Sequence, residues 1–146
     1  MTLNARSEAV RRRLLRPWNF RLYLWARLPL AACAGLSLRR LDEAACTVAL
    51  PGGWRTQNPF RSMYFAAQAM AAEMSTGAPA MMLAEGASAS VSMLVREVRG
   101  VFTRRIQDGA DFTFEDLPGM RAAVERAVAT GESESFVARS TGRAKD

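Results

Sequence analysis

The 146 residues contain no histidine, so acid–base chemistry near neutral pH must rest on Asp, Glu, Tyr or a polarised water. Histidine-based triads and ordinary histidine-containing zinc sites are excluded. The sharpest candidate is Glu73, within Asn58–Gly77, which reads NPFRSMYFAAQAMAAEMSTG. From Ser62 to Ser75 there is no Gly or Pro, and Ala, the best helix former, dominates. Gln68, Glu73 and a few hydroxyls are the only polar side chains there. A helix apolar on nearly all sides is expected to be buried. A buried carboxylate is costly unless paired, hydrated or neutralised, and burial raises its pKa toward the range of a general base. The structural alternative is a salt bridge to Arg104 or Arg105.

At about 100° per residue, Ser62, Ala66, Ala69 and Glu73 fall within about 60° of one another. They make a narrow face of small side chains with one acid on it, which another backbone or a ligand can approach closely. Tyr64, Gln68, Ala71 and Ser75 form a second stripe. At the start of the helix, the first-turn N–H groups around Tyr64, Phe65 and Ala66 are natural donors to a developing oxyanion. Asn58 is a turn former or cap, or a group that orients the attack. Ser62 caps the backbone or lines a pocket with Glu73. Tyr64 is a packed aromatic or a hydrogen-bond partner of a substrate. Arg104 and Arg105 read as solvated surface or as a contact for anionic phosphates.

Asn58, Ser62, Tyr64 and Glu73, on a long apolar helix after the Gly-Trp loop at Gly52–Trp54, resemble the hotdog-fold thioesterases. The similarity is strongest to a branch with an NPF-x-S-[MI]-Y-F-A-A-Q-A-M-A-A-E core, and weaker to phenylacetate-pathway acyl-CoA thioesterases. It covers roughly Leu28 to Gly142. The resemblance implies an α+β hotdog fold, an antiparallel sheet wrapped around one long central helix. It implies hydrolysis of an acyl-CoA or acyl-carrier-protein thioester, with Glu73 as base or nucleophile and Asn58 orienting the attack. Ser62, Tyr64, Phe65, Ala66, Arg104 and Arg105 would bind substrate. No metal or redox cofactor is implied, and the assembly would be a homodimer or dimer of dimers with sites at subunit boundaries. Relatives carry a Gly pair where this chain has Phe65-Ala66, and many carry His at the position of Tyr64. Relatives also continue beyond a turn like Gly142–Asp146 into a further strand. The alternative reading is a non-catalytic hotdog module that binds an acyl group or a protein.

The elements that must position these groups follow from the rest of the chain. One domain is expected, with residues 1–30 as a helical segment packed on a hotdog body over 31–146. The net charge is +6, and every basic residue but Lys145 is Arg. That suits a solvated surface or an anionic ligand; charge alone also admits nucleic acid, but neither nucleic acid nor a membrane is the expected partner. Cys33 and Cys46 lack metal-type spacing and read as buried free thiols of a cytoplasmic protein. Residues 1–6 read as a loose end. Helices are expected from Ser7, as N-cap, to Arg16 and from Trp18 to Leu28. Trp18, Leu22 and Trp25 share a face that is expected to pack on the domain, the alternative being a membrane surface. Strands are expected over Gly35–Arg40 and Ala44–Leu50, with Leu41-Asp42-Glu43 as the hairpin connection between them. The central helix should stop at Gly77, with Pro79 just beyond. Further strands are expected at Ser90–Arg99, Val101–Gln107, Asp111–Glu115 and Glu132–Ser140, with Asp108-Gly109 as a hairpin turn. A peripheral helix should run from Gly119 to Thr130, opened by Leu117-Pro118 and closed by Gly131.

Overall fold

A computed structural model describes residues 3–145. The loose end expected over residues 1–6 and the turn ending at Asp146 therefore fall partly outside the described residues. In chain order the elements are α1 (Ala5–Leu15), α2 (Pro17–Arg27), α3 (Pro29–Ala34), β1 (Ser37–Leu41), β2 (Cys46–Pro51), α4 (Phe65–Gly86), β3 (Gly109–Phe114), α5 (Leu117–Thr130) and β4 (Ser140–Ala144). The result is a mixed α+β fold in which the long α4 lies against an antiparallel sheet of order β1-β2-β3-β4.

Local chemistry sets the ends of the elements. The α1 cap is Asn4, whose side-chain oxygen accepts from the Ser7 N–H at 2.8 Å. Ser7, expected to be the cap, is instead buried against Gly86, where no side chain would fit. Asn4 Nδ2 also donates to the Gly86 carbonyl at 2.9 Å, which ties α1 to the far end of α4. Pro29 does not end the helical region; it opens α3 at a position where a missing N–H costs nothing. Asp42 accepts from the N–H groups of Ala44 and Ala45, both at 2.9 Å, and so closes the β1–β2 turn. Asp116 caps α5 through the Gly119 N–H, and Gly131 ends it in a left-handed conformation.

The central helix runs for 22 residues, straight through Gly77 and Pro79. The expected stop fails because tertiary packing outweighs the local signal. Pro79 forfeits the bond to the Ser75 carbonyl, but Ala78, Pro79, Ala80, Met82 and Leu83 are all buried. Gly77 also has a use inside the helix: a Cβ there would lie 2.8 Å from Glu73 Oε1.

Cys46, Val48 and Leu50 of β2 face the core and pair with Phe114, Phe112 and Ala110 of β3. On the other face, Thr47 and Thr113 share a hydroxyl hydrogen bond of 2.9 Å. Ser75, fully buried in α4, binds the Ala72 carbonyl and the Ser140 hydroxyl at 2.7 Å each, and thereby ties the helix to β4.

Two expectations for the sheet are corrected. Residues 90–107 form no ladder with any described residue, and Leu94, Val98 and Val101 stand 83%, 72% and 74% exposed. Asp108-Gly109 therefore does not join two paired strands; Gly109, at φ 116°, turns the chain into β3 instead. The last strand begins at Ser140, where it was expected to end, and uses Gly142 and Ala144 against Phe112 and Ala110. Gly142 is required there, since a Cβ would come 2.5 Å from the buried Phe112 ring.

Val10, Leu14, Phe20 and Leu24 of the N-terminal helices join the same core as the sheet. The α2 face expected to pack does not. Trp18, Leu22 and Trp25 are 77%, 65% and 57% exposed, while Phe20 and Leu24 on the other side are buried. No helix among the described residues is long and apolar enough to cross a membrane.

Candidate functional site

Residues 52–64 and the start of α4 build a shallow site beside residues 102–108. Thr56 is buried and donates to the Pro51 carbonyl at 2.7 Å, while its own carbonyl accepts from the Tyr64 N–H at 2.7 Å. Asn58 shapes the next turn. Its side-chain oxygen accepts from the Phe60 N–H at 2.9 Å and from both the N–H and the hydroxyl of Ser62 at 3.2 Å. The turn places Arg61 at φ 57°, a left-handed conformation uncommon for Arg. Arg105 donates to the Phe60 carbonyl at 2.7 Å, and Gln107 donates to that of Arg61 at 3.3 Å. The Met63 N–H is anchored on Ile106 O at 2.8 Å.

Two adjoining cavities share Ser62 and Met63. One, of about 220 Å³, is lined by Asn58, Phe65, Gln68, Phe102, Arg104, Arg105 and Ile106 in addition. The other, of about 280 Å³, lies toward Gly53, Thr56, Gln57, Arg61, Gln107 and Asp108. The first brings together Asn58, Ser62, Phe65, Arg104 and Arg105 from the residues singled out in the sequence. It omits Tyr64, Ala66 and Glu73 from its lining. It adds Gln68 and Phe102, which the sequence did not mark as site residues. Gln68 had one signal: it is the amide on the stripe headed by Tyr64, and its Nε2 donates to the Met63 carbonyl at 3.1 Å.

The donors at the helix start differ in detail from expectation. The Tyr64 amide is already bound to Thr56, and Tyr64 is the residue preceding the helix. The N–H groups of Phe65, Ala66 and Ala67 have no acceptor among the described residues, and no side chain caps them. Aromatic rings flank them: Tyr64 meets Phe65 edge-on at 5.1 Å, and Phe65 meets Phe102 at 6.3 Å.

Glu73 sits on an outward face of α4 rather than inside the core. Its carboxylate has neither a hydrogen bond nor an ion pair among the described residues, so the salt-bridge alternative fails. Partial desolvation still raises its pKa from the ordinary carboxylate value. Along α4, Glu73 stands about 10 Å from Ala66, seven residues at 1.5 Å each. Arg105 is engaged by backbone carbonyls and stabilises the turn.

Cys46 is buried, and desolvation pushes its thiol up to about 12, which makes it a poor nucleophile. Cys33, expected to be buried, is exposed. Among the described residues no group of three or more Cys, Asp and Glu side chains converges as a metal site would require.

No family model and no curated protein matches the chain. Solved structures do. A protein of unknown function from Chlorobaculum tepidum is 12% identical, with a TM-score of 0.74 over 90% of this chain and 83% of that one. PA5026 of Pseudomonas aeruginosa, a protein of unknown function described as a probable thioesterase, is 17% identical, with a TM-score of 0.64 over 88% of this chain and 85% of that one. At these identities the likeness shows a shared fold, and one of the proteins sharing it carries a thioesterase description.

Proposed function

We propose that the protein is a hotdog-type acyl thioester hydrolase that acts on acyl-CoA or acyl-carrier-protein substrates and works as a homodimer. The observation that carries this reading is the start of α4. Three backbone N–H groups without acceptors among the described residues, at the positive end of a long helix, stand beside a cavity lined by Asn58, Ser62 and Gln68. Donors so arranged stabilise the charge that develops on a thioester oxygen. Asn58 Nδ2, left over when Oδ1 holds the turn, would orient the attacking water or the carbonyl.

Glu73 would be the base or nucleophile. It has no partner among the described residues, its pKa is raised, and it shares a face with Ala66 and Ala69. Its axial distance from the helix start is too great for both to serve one carbonyl in the same subunit. In an antiparallel pair of α4 helices with a two-fold axis near Ala69, Glu73 of one copy would face Ala66 of the other. The small face permits that approach, and the exposed Phe60, Phe65 and Phe102 beside it would be covered. Free thiols suit a cytoplasmic enzyme. No metal or redox cofactor is needed for this chemistry. Thioester hydrolysis by the purified protein, followed as thiol release across a panel of acyl-CoAs, tests the reading. Glu73→Gln should lower the rate roughly 10²- to 10⁴-fold; an unchanged rate removes Glu73 from the mechanism.

A second reading, a non-catalytic acyl-binding module, is favoured by one observation: Glu73 lines neither cavity of the single chain. Saturable binding of an acyl-CoA without turnover would select it.

A further inference from the structure

We propose that the outer face of α2, continued by Leu30, is an interfacial site for membranes rich in anionic phospholipid. Trp18, Leu22 and Trp25 fall within about 60° of one another around the helix. They are 77%, 65% and 57% exposed, and Leu30 just beyond is 73% exposed. The helix is already anchored from its other side by Phe20 and Leu24, at 3% and 1%. This apolar face is thus held rigidly outward with nothing described upon it.

The charge around it identifies the partner. Residues 1–30 hold seven arginines and one acid, Glu8, a net +6. Of the chain's 20 basic and 14 acidic residues, that leaves 13 of each sign, so the first 30 residues carry all of the excess charge. Arg11 and Arg12 are engaged by Glu8, and Arg13 by Glu85. Arg16, Arg21 and Arg27, on and beside α2, are exposed and have no partner among the described residues. An exposed Trp/Leu stripe flanked by unpaired arginines matches the interface of an anionic bilayer, where indole rings settle at headgroup level and guanidinium groups meet phosphate and carboxylate. Neither competing partner fits both features. A second copy docked stripe to stripe would bring two sets of arginines together. A nucleic acid would neutralise the arginines but leave four large apolar side chains wet. The helix would lie in the plane of the interface, in keeping with the absence of a spanning helix among the described residues.

The test is vesicle flotation of the full chain with phosphatidylcholine alone and with about a third phosphatidylserine, at low and high salt. The wild type should float with the anionic vesicles, less so at high salt, and should stay behind with the neutral ones. Arg21→Ala/Arg27→Ala should weaken partition about 25-fold, from roughly fivefold per arginine near an anionic surface. Trp18→Ser/Trp25→Ser should abolish flotation while leaving the circular dichroism and urea midpoint unchanged, because both side chains are solvent-exposed. Any of these results would overturn the proposal. One is no flotation of the wild type with anionic vesicles. Another is equal flotation of wild type and the Trp18→Ser/Trp25→Ser variant. The third is a wild-type oligomer that this variant converts to monomer, or retention of a duplex oligonucleotide in place of vesicles, either of which reassigns the face.

Discussion

If catalysis joins the helix start of one subunit to Glu73 of its partner, two dead variants should rescue each other. Reacting groups must come within about 3–3.5 Å, whereas Glu73 and Ala66 of the same helix are about 10 Å apart along its axis. One chain would carry Glu73→Gln. The other would carry Asn58→Asp, which keeps the oxygen that holds the Phe60–Ser62 turn and removes the amide donor. Each homodimer alone should lose roughly 10²- to 10⁴-fold in kcat/KM. Random reassortment makes about half the dimers mixed, and each mixed dimer has one site with both groups intact, so the mixture should recover about a quarter of wild-type activity. The assay is thiol release from an acyl-CoA after the two proteins are unfolded and refolded together, with wild type treated in the same way. Recovery in the wild-type control without rescue in the mixture refutes the shared site. Full activity of Glu73→Gln by itself refutes the role of the carboxylate altogether.

Two further predictions concern stability. Gly142→Ala should cost about 1–3 kcal/mol in urea unfolding, because its Cβ would meet the immobile Phe112 ring; an unchanged midpoint would mean that β4 does not lie against Phe112. Glu73 has a folded pKa above its unfolded value, so the stability linked to it is present below the unfolded pKa and lost as pH rises through the folded one. The wild type should therefore fall behind Glu73→Gln as pH rises across that window and hold a constant deficit above it. A gap that narrows with rising pH, measured by urea midpoints, would show that the carboxylate gains a partner instead of losing water.

Much of the secondary structure was legible because its signals are local. Asp42 and Gly131 act through bonds and dihedrals within a few residues of themselves, and each does so where expected; Asp116, which caps α5, acts as locally. The period-two pattern of Cys46, Val48 and Leu50 survives in β2, whereas the register of β1 shifts between Leu38 and Arg40 and breaks its alternation. The site was legible in part for the same reason. Asn58 and Ser62 belong to one turn, and Phe65 follows within a few residues, so their proximity is written into the chain. Gln68 and Phe102 enter the lining through packing, which spacing does not reveal.

The sequence by itself determined the α+β character, the apolar central helix and the turn that precedes it, since these depend on neighbours in the chain. Tertiary structure decided three other matters. Burial carried α4 past Gly77 and Pro79 to Gly86, overriding breakers that act only through local bonds. Sheet order left residues 90–107 without a ladder among the described residues although their alternation is real, because alternation states a face and never a partner. The direction of α2 was open as well. Its sequence offers two apolar faces, and only the surface it rests on selected Phe20 and Leu24 for the core and turned Trp18, Leu22 and Trp25 toward solvent.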